Sequence, residues 1–383
     1  MKAIVNGRIL LPGAEVQGKA LVYDKKIVGV MDEAAARAMA DEVIDAAGMY
    51  VSPGLVDVHI HGYLGADVSD ADNAGVRKMA KGILANGVTS FLPTTMTIGW
   101  STLETIFAQL RQLREESRSA AFEGAEILGC HAEGPFINPS KKGAQAEENI
   151  LPPDAEKVLP YADIIRMISF APEMPGGDQF IRTLKEKTDI TLSIGHTSAN
   201  YDQAMNAIRL GANHITHTFN AMTPMMHRDP GVVGAALTTD VYCQLIVDTF
   251  HVHKGLFPLM HKAKGEHLVL ITDCLRSCGM PDGEYELGGQ KFVLKGIECR
   301  LLDGTIAGSV LKLNNAVRNM REHTNLPLEQ IVRMASINAA RCIGLDKTKG
   351  SLEAGKDADI ILADENFAVS ETIIAGETVW AAE

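Results

Sequence analysis

PGLVDVHIHG, residues 53–62, holds an apolar run, Gly54–His59, that ends in a pair of histidines, and seven more apolar runs follow it along the chain. These are Val88–Thr94, Glu126–His131, Ile164–Ala171, Ile190–His196, His214–Thr218, Val241–Asp248 and His267–Asp273. Each is nearly continuous in apolar character, as expected of parallel strands covered on both faces. Helical stretches such as ADNAGVRKMAKGILANG and SANYDQAMNAIRLGA lie between many of them. Eight strands alternating with helices through right-handed crossovers predict an α/β fold, a (β/α)8 TIM-like barrel. An open doubly wound sheet is the alternative, but no GxGxxG follows the first run. Two more helices, Ser309–His323 and Leu328–Ile343, are expected after the barrel.

The two ends of the chain share a different style. KAIVNGRILL and KALVYDKKIVGV mix β-branched residues with turn signals at Asn6-Gly7 and Asp24-Lys25, and DADIILAD and SETIIAGETVW return to that pattern near the C-terminus. Residues 1–52 and 349–383 are therefore expected to combine into one small β domain around a barrel spanning 53–348.

Composition narrows the function. The 383 residues carry a formal net charge of −12, which argues against a nucleic-acid partner bound through bulk charge. An anionic small molecule is still admissible if a few local cations or backbone N–H groups hold it. The chain has no run of about 18 apolar residues, so no membrane span is expected. The start, MKAIVNGRILLPG, is broken by Asn6, Gly7 and Arg8 and does not read as a targeting segment. The six cysteines (130, 243, 274, 278, 299 and 342) show no CxxC pair and read as buried free thiols in a reducing cytoplasm.

The polar residues fall where the apolar runs end. Run one ends at His59 and His61, run three at His131 and Glu133, and run five at His196. Run six carries His217, run seven leads into Asp248 and His251, and run eight ends at Asp273. A barrel brings its C-terminal strand ends to one mouth, so these distant residues are expected to meet. His59 and His61 are two apart on a strand and point to the same side, which suits one metal ion, although such a pair can also hydrogen-bond locally. Glu133, His196 and His217 suit Zn²⁺ or a similar divalent ion, with a position left for water. If Glu133 also reaches the first pair, it bridges two ions. His131 and His214 are expected to turn elsewhere, as packing or supporting residues. Asp273 is a natural proton acceptor beside a metal-activated water, the competing reading being a helix cap.

PGLVDVHIHG, HAEGPF, SIGHT, HTFNAM and GKDADIILAD together resemble the amidohydrolase superfamily. Within it, HAEGPF with KKGAQ, HTFNAM with RDPG, and DTFHVH are similar to the N-acetylglucosamine-6-phosphate deacetylase family, in order and over essentially the whole chain. The resemblance implies a distorted barrel with a small β-sandwich from both chain ends. The implied reaction removes acetate from a phosphorylated N-acetylhexosamine. By position it makes Glu133, His196 and His217 metal ligands and Asp273 the catalytic acid/base. His59 and His61 point to the two-metal variety, zinc being the expected ion and iron, manganese or cobalt the alternatives. Substrate contacts are implied for Ala144, Gln145, Asn220, Ala221, His251 and Ile306-Ala307-Gly308. Arg228 is implied near the phosphate, reaching in from the neighbouring subunit of a homodimer. One departure stands out. Gln145 sits where some members carry histidine, and its amide is expected to donate to the acetyl carbonyl. The alternatives are an N-acetylgalactosamine-6-phosphate deacetylase, another amidohydrolase, or a silent metal-binding scaffold. The last has no need of Asp273.

Overall fold

The computed structural model describes residues 1–382. Eight parallel strands form its centre: Leu55–Ile60, Val88–Thr95, Cys130–Glu133, Ile165–Phe170, Thr191–Ile194, His214–Ile215, Tyr242–Ile246 and Leu268–Ile271. Each pairs with the next in chain order. The eighth returns to the first through Asp273 N–H donating to the His59 carbonyl at 2.8 Å and His61 N–H donating to the Cys274 carbonyl at 3.0 Å. The expected (β/α)8 barrel is thus present. Nearly all of its strand residues are buried, which explains their unbroken apolar character.

The third strand is interrupted. A two-residue piece, Glu126–Ile127, pairs with the second strand before Cys130–Glu133 begins. The break is at Gly129, which has φ +150°, and a Cβ there would lie 2.5 Å from Arg166 Cγ and 2.8 Å from the Ile164 carbonyl. Only glycine fits so close an approach. The break resets the strand so that Glu133 ends it at the mouth.

The surrounding helices follow ordinary start signals. Asp72 caps Asn73–Gly82 by accepting from Ala74 and Gly75 N–H, and Asn200 and Gln203 form a reciprocal box at the start of Tyr201–Leu210. After the barrel, Leu313–His323 forms as expected. The single helix expected over Leu328–Ile343 is instead two, Leu328–Met334 and Ile337–Cys342. Ser336 leaves helical geometry at φ −139°, ψ −92°, while its hydroxyl donates back to the Val332 carbonyl. The freed Ala335 carbonyl accepts from Val56 N–H of the first barrel strand at 2.8 Å. The helix breaks to cap the barrel.

Both chain ends build one β-sandwich. Its first sheet orders Ile27–Asp32, Lys19–Tyr23, Lys2–Val5 and Glu42–Asp45, and its second holds six strands. In that second sheet Tyr50–Pro53 lies between Arg8–Leu11 and Ile360–Ala363. Ile4, Leu21, Tyr23, Val51, Ile360 and Leu362 are buried together between the layers.

The sandwich is locked to the barrel by one buried cation. Lys349 Nζ lies 2.5 Å from Glu126 of the barrel, and 2.8 and 3.0 Å from Asp359 and Asp357 of the C-terminal segment. Burial pulls the ammonium's pKa down, but Asp359, Glu126 and Asp357 outweigh it and hold it above the ordinary lysine value.

A third sheet was not anticipated from the sequence: Gly283–Leu287, Gln290–Lys295 and Glu298–Leu301, antiparallel. Phe292 and Leu294 alternate with exposed Lys291, Val293 and Lys295, and Gly288-Gly289 makes the first turn with both residues at positive φ. Its inner face forms a satellite core with Met96, Ala144 and Leu275 at the barrel mouth. Among the described residues no helix is long and apolar enough to cross a membrane.

Replacing Lys349 by Met leaves the buried Asp359 and the half-buried Glu126 and Asp357 without their shared cation. The expected cost is about 3–5 kcal/mol, read as a lower melting temperature in calorimetry. An unchanged melting temperature would show that packing alone holds the sandwich to the barrel.

Candidate metal centre

Five imidazole and carboxylate side chains from four barrel strands meet at the mouth. His59 and His61 come from the end of the first strand, Glu133 from the third, and His196 and His217 from just past the fifth and sixth. All five are buried, none more than 6 % exposed. Glu133 belongs to two triads of converging ligand atoms, one with His59 and His61, the other with His196 and His217. Its Oε1 lies 3.1 Å from His217 Nε2 and 3.3 Å from both His196 Nε2 and His59 Nε2, while Oε2 lies 3.3 Å from His61 Nε2. Asp273 Oδ1 completes the ring, 3.2 Å from His61 Nε2 and 3.4 Å from His59 Nε2.

The far ring nitrogens show what these near ones must be. His61 Nδ1 faces the Thr94 carbonyl at 3.2 Å and His196 Nδ1 the Lys141 carbonyl at 2.9 Å. A carbonyl only accepts, so both Nδ1 atoms donate. His59 Nδ1 faces Gln244 Oε1 at 2.9 Å, and that oxygen also takes the His217 backbone N–H at 3.1 Å, which fixes it as the acceptor end of the amide. In the neutral tautomer the Nε2 of His59, His61 and His196 is then a lone pair, while His217 Nδ1 has no partner; the Nε2 atoms nevertheless face one another, 3.2 Å apart for His59 and His61 and 3.1 Å for His196 and His217. Acceptors face acceptors and carboxylates in a buried place. Such a donor set fits a divalent cation on each side of Glu133, with N and O ligands of the kind zinc prefers.

The titration behaviour follows the same geometry. Burial pushes Glu133 up, but positive charge on the His59, His196 and His217 side, where a cation belongs, holds it well below the usual carboxylate range. Asp273 is likewise held below its ordinary value, burial being outweighed by His59 and His61. Backbone strain collects here as well. His196, His217, Phe219, Ala221, Thr249 and Asp273 all have positive φ without being glycine, three of them metal or proton-handling candidates.

His131 and His214 turn away, as expected. His131 donates from Nδ1 to the Val58 carbonyl at 3.1 Å and meets Ser169 Oγ at 2.7 Å, and His214 Nδ1 meets Ser193 Oγ at 3.0 Å. Thr216 Oγ1 joins the two serines at 2.7 and 2.6 Å, so a chain of hydroxyls crosses the barrel interior below the metal centre.

A cavity of about 430 Å³ opens above the ligands, a size suited to a small molecule. Ala144, Gln145, Asn220, Ala221, His251 and Ile306 line it, as does Gly308. Asp248 clamps His251 by accepting from its backbone N–H at 2.8 Å and pairing with Nδ1 at 2.6 Å. Ala307 is instead buried in the satellite core, and Arg228 is exposed outside the cavity. Gln145 accepts from Thr97 N–H through Oε1 and donates from Nε2 to Glu133 Oε2, both at 2.6 Å. One of its two N–H groups is thus committed to the carboxylate rather than to the cavity.

Sequence reasoning missed the residues that orient the ligands. Gln244 is wholly buried in Tyr242–Ile246, and a lone amide in so apolar a strand was the available signal. Asp57 is another: buried, it accepts from Thr272 Oγ1 at 2.7 Å and His59 N–H at 3.2 Å, and burial pushes it up to about 7. The carbonyls of Thr94 and Lys141 left no signal at all.

Comparison with known proteins gives the chain a family and relatives along its whole length. Residues 50–379 match the amidohydrolase family. An N-acetylglucosamine-6-phosphate deacetylase of Lysinibacillus sphaericus is 38% identical over 370 residues, covering 95% of this chain and 94% of that protein. The crystal structure of the Pasteurella multocida N-acetylglucosamine-6-phosphate deacetylase superposes with a TM-score of 0.93 at 31% identity, covering 100% of both chains. An aspartate-to-alanine mutant of the Mycobacterium smegmatis enzyme, in complex with N-acetyl-D-glucosamine-6-phosphate, superposes with a TM-score of 0.89 at 31% identity over 99% of both chains.

Because Glu133 serves both triads, an E133A variant is expected to retain no divalent metal after dialysis, whereas H61A keeps what His196 and His217 hold. Metal analysis of the two purified variants checks this. Equal retention by both would remove Glu133 from the shared position.

Proposed function

The chain belongs to the amidohydrolase family, and from that premise we propose that it hydrolyses the N-acetyl group of N-acetyl-D-glucosamine 6-phosphate to D-glucosamine 6-phosphate and acetate, a step of amino-sugar breakdown. The observation that carries this reading is the set of lone pairs and carboxylates converging beneath a cavity of about 430 Å³, in a chain similar along its length to deacetylases of that sugar phosphate.

Glu133, His196 and His217 would hold one divalent ion, and His59, His61 and Glu133 a second. Zinc is the expected ion, with iron, manganese or cobalt as alternatives. When bound, such ions polarise the acetyl carbonyl and lower the pKa of an attacking water. Asp273, held ionised, accepts one proton from this water and passes it to the departing amine nitrogen, so that C–N cleavage yields acetic acid and a neutral amine; the acid then gives its own proton to the amine or to solvent and leaves as acetate. Gln145, with its second N–H, Asn220 and Ala221 hold the acetamide and sugar. His251 meets the phosphate. Its pKa is pulled down by burial but raised above the ordinary value by Asp248 beside it, which favours the charged form.

The phosphate end is completed by a second copy of the chain. Arg228 stands exposed on a loop with Met225 and Met226, which are 52% and 60% exposed. In a homodimer this loop crosses to the partner's mouth and offers it the Arg228 guanidinium. We place the protein in the cytoplasm, where its six free cysteines stay reduced. Residues 1–52 with 349–383 serve as the supporting sandwich and 53–348 as the catalytic barrel.

The test is acetate release from N-acetylglucosamine 6-phosphate, with the unphosphorylated sugar and the galacto epimer alongside. Activity on the phosphorylated gluco sugar, lost on chelation, is expected. A stronger rate on the galacto epimer would reassign the substrate. In the same assay D273N should lose about 10²–10⁴-fold in kcat with metal content unchanged; near-normal turnover would end its role as the proton carrier. R228A should raise KM for the phosphorylated sugar and leave hydrolysis of the unphosphorylated one as it was. Equal damage to both substrates would detach Arg228 from the phosphate.

A further inference from the structure

Gln145 is 2 % exposed and packed against Glu133. Its orientation is fixed, because Thr97 N–H can only donate, so the amide oxygen must face it and the nitrogen must face Glu133. Among the described residues this N–H is the one donor other than an imidazole that meets the Glu133 carboxylate. The terminal torsion of a glutamate is soft and broad. Something must therefore decide the plane in which the two oxygens lie.

The plane matters because the two oxygens have different duties. Oε1 lies within 3.3 Å of His196, His217 and the near edge of the first pair at His59, whereas Oε2 is the one oxygen that meets His61, at 3.3 Å. The Gln145 N–H pins Oε2 to its side and leaves Oε1 to the other. We propose that Gln145 is a positioning residue that holds Glu133 as a bridge between two divalent ions and so sets the affinity of the His59–His61 position. This rests on the two-ion reading given above. Without the N–H, the carboxylate turns about its last bond toward the His196–His217 side, where two imidazoles already meet Oε1. The His59–His61 pair then loses the oxygen that faces His61 and keeps only the Oε1 it shares with His196 and His217, which weakens that position.

The same loop reaches further. Lys141, four residues earlier, orients His196 through its carbonyl. Gln290, in the three-stranded sheet over the cavity, donates to the Ala144 carbonyl at 2.6 Å. One loop thus orients two of the three ligands of the second triad and is itself tied to the sheet above the cavity.

The experiment uses Q145M, which keeps the length of the side chain and removes the donor. Metal-free protein is titrated with zinc alone against a chromophoric chelator, so that each binding step is read without catalysis. Wild type should take two ions. In Q145M the tighter step should stay within about twofold, while the weaker step falls about 10–100-fold, the usual range for losing an outer partner of a ligand. A residue with a merely structural role would weaken both steps together and lower the melting temperature of the metal-free protein, and that result would overturn the proposal. So would two unchanged steps. A single zinc step in wild type would instead overturn the two-ion reading, and this inference with it. Should Q145M not fold, Q145A, which leaves room for a water to accept from Thr97 N–H, carries the same comparison.

Discussion

The interaction on which this structure turns is a repulsive one. Four imidazole Nε2 atoms, three of them fixed as lone pairs, and two carboxylates are pressed together within hydrogen-bonding distance of each other, with few donors among them. Buried groups that only accept are costly to bring together unless a cation lies between them. The protein enforces the convergence from behind. Thr94 and Lys141 offer carbonyls, and Gln244 offers one amide oxygen to both His59 and the backbone of His217. The rings of His59, His61 and His196 cannot turn their donors inward without losing these partners. The metal centre is therefore built as much by the acceptors outside it as by the ligands themselves.

Barrel closure completes the arrangement. Asp273 follows the eighth strand, and its N–H bonds the carbonyl of His59 on the first. The seam that closes the sheet is the same contact that sets the Asp273 carboxylate beside His59 and His61. Asp57 reinforces that seam by taking the Thr272 hydroxyl. The left-handed backbone at His196, His217 and Asp273 is the local cost of turning these side chains over the mouth rather than along the strand.

Much of this was legible in the sequence because it depends on period and position. Two-residue spacing put His59 and His61 on one side, and the ends of apolar runs located Glu133, His196, His217 and Asp273. Strand-like residues at both termini pointed to a shared sheet, which the pairing of Tyr50–Pro53 with Ile360–Ala363 bears out. What escaped depends on contacts that leave no local pattern. A backbone carbonyl aimed at an imidazole is invisible to residue type. The helix break at Ser336 arises from a hydrogen bond to the barrel, not from any breaker residue. The direction in which Gln145 points is decided by Thr97, almost fifty positions away. The three-stranded sheet is the exception, since its Gly288-Gly289 turn between alternating segments was readable.

Tyr50–Pro53 also ties the fold to the order in which it is made. One neighbour, Arg8–Leu11, leaves the ribosome just before it; the other, Ile360–Ala363, is roughly 300 residues away. At about 5–20 residues per second that is a wait of about 15–60 s. Throughout that interval the strand offers an open edge, and the whole barrel must be synthesised before the edge is covered. Lys349 emerges shortly ahead of the strand that closes the sheet, so the ionic lock and the last strand arrive together. The sandwich serves as the clasp of the molecule, fastened only after the barrel has been made.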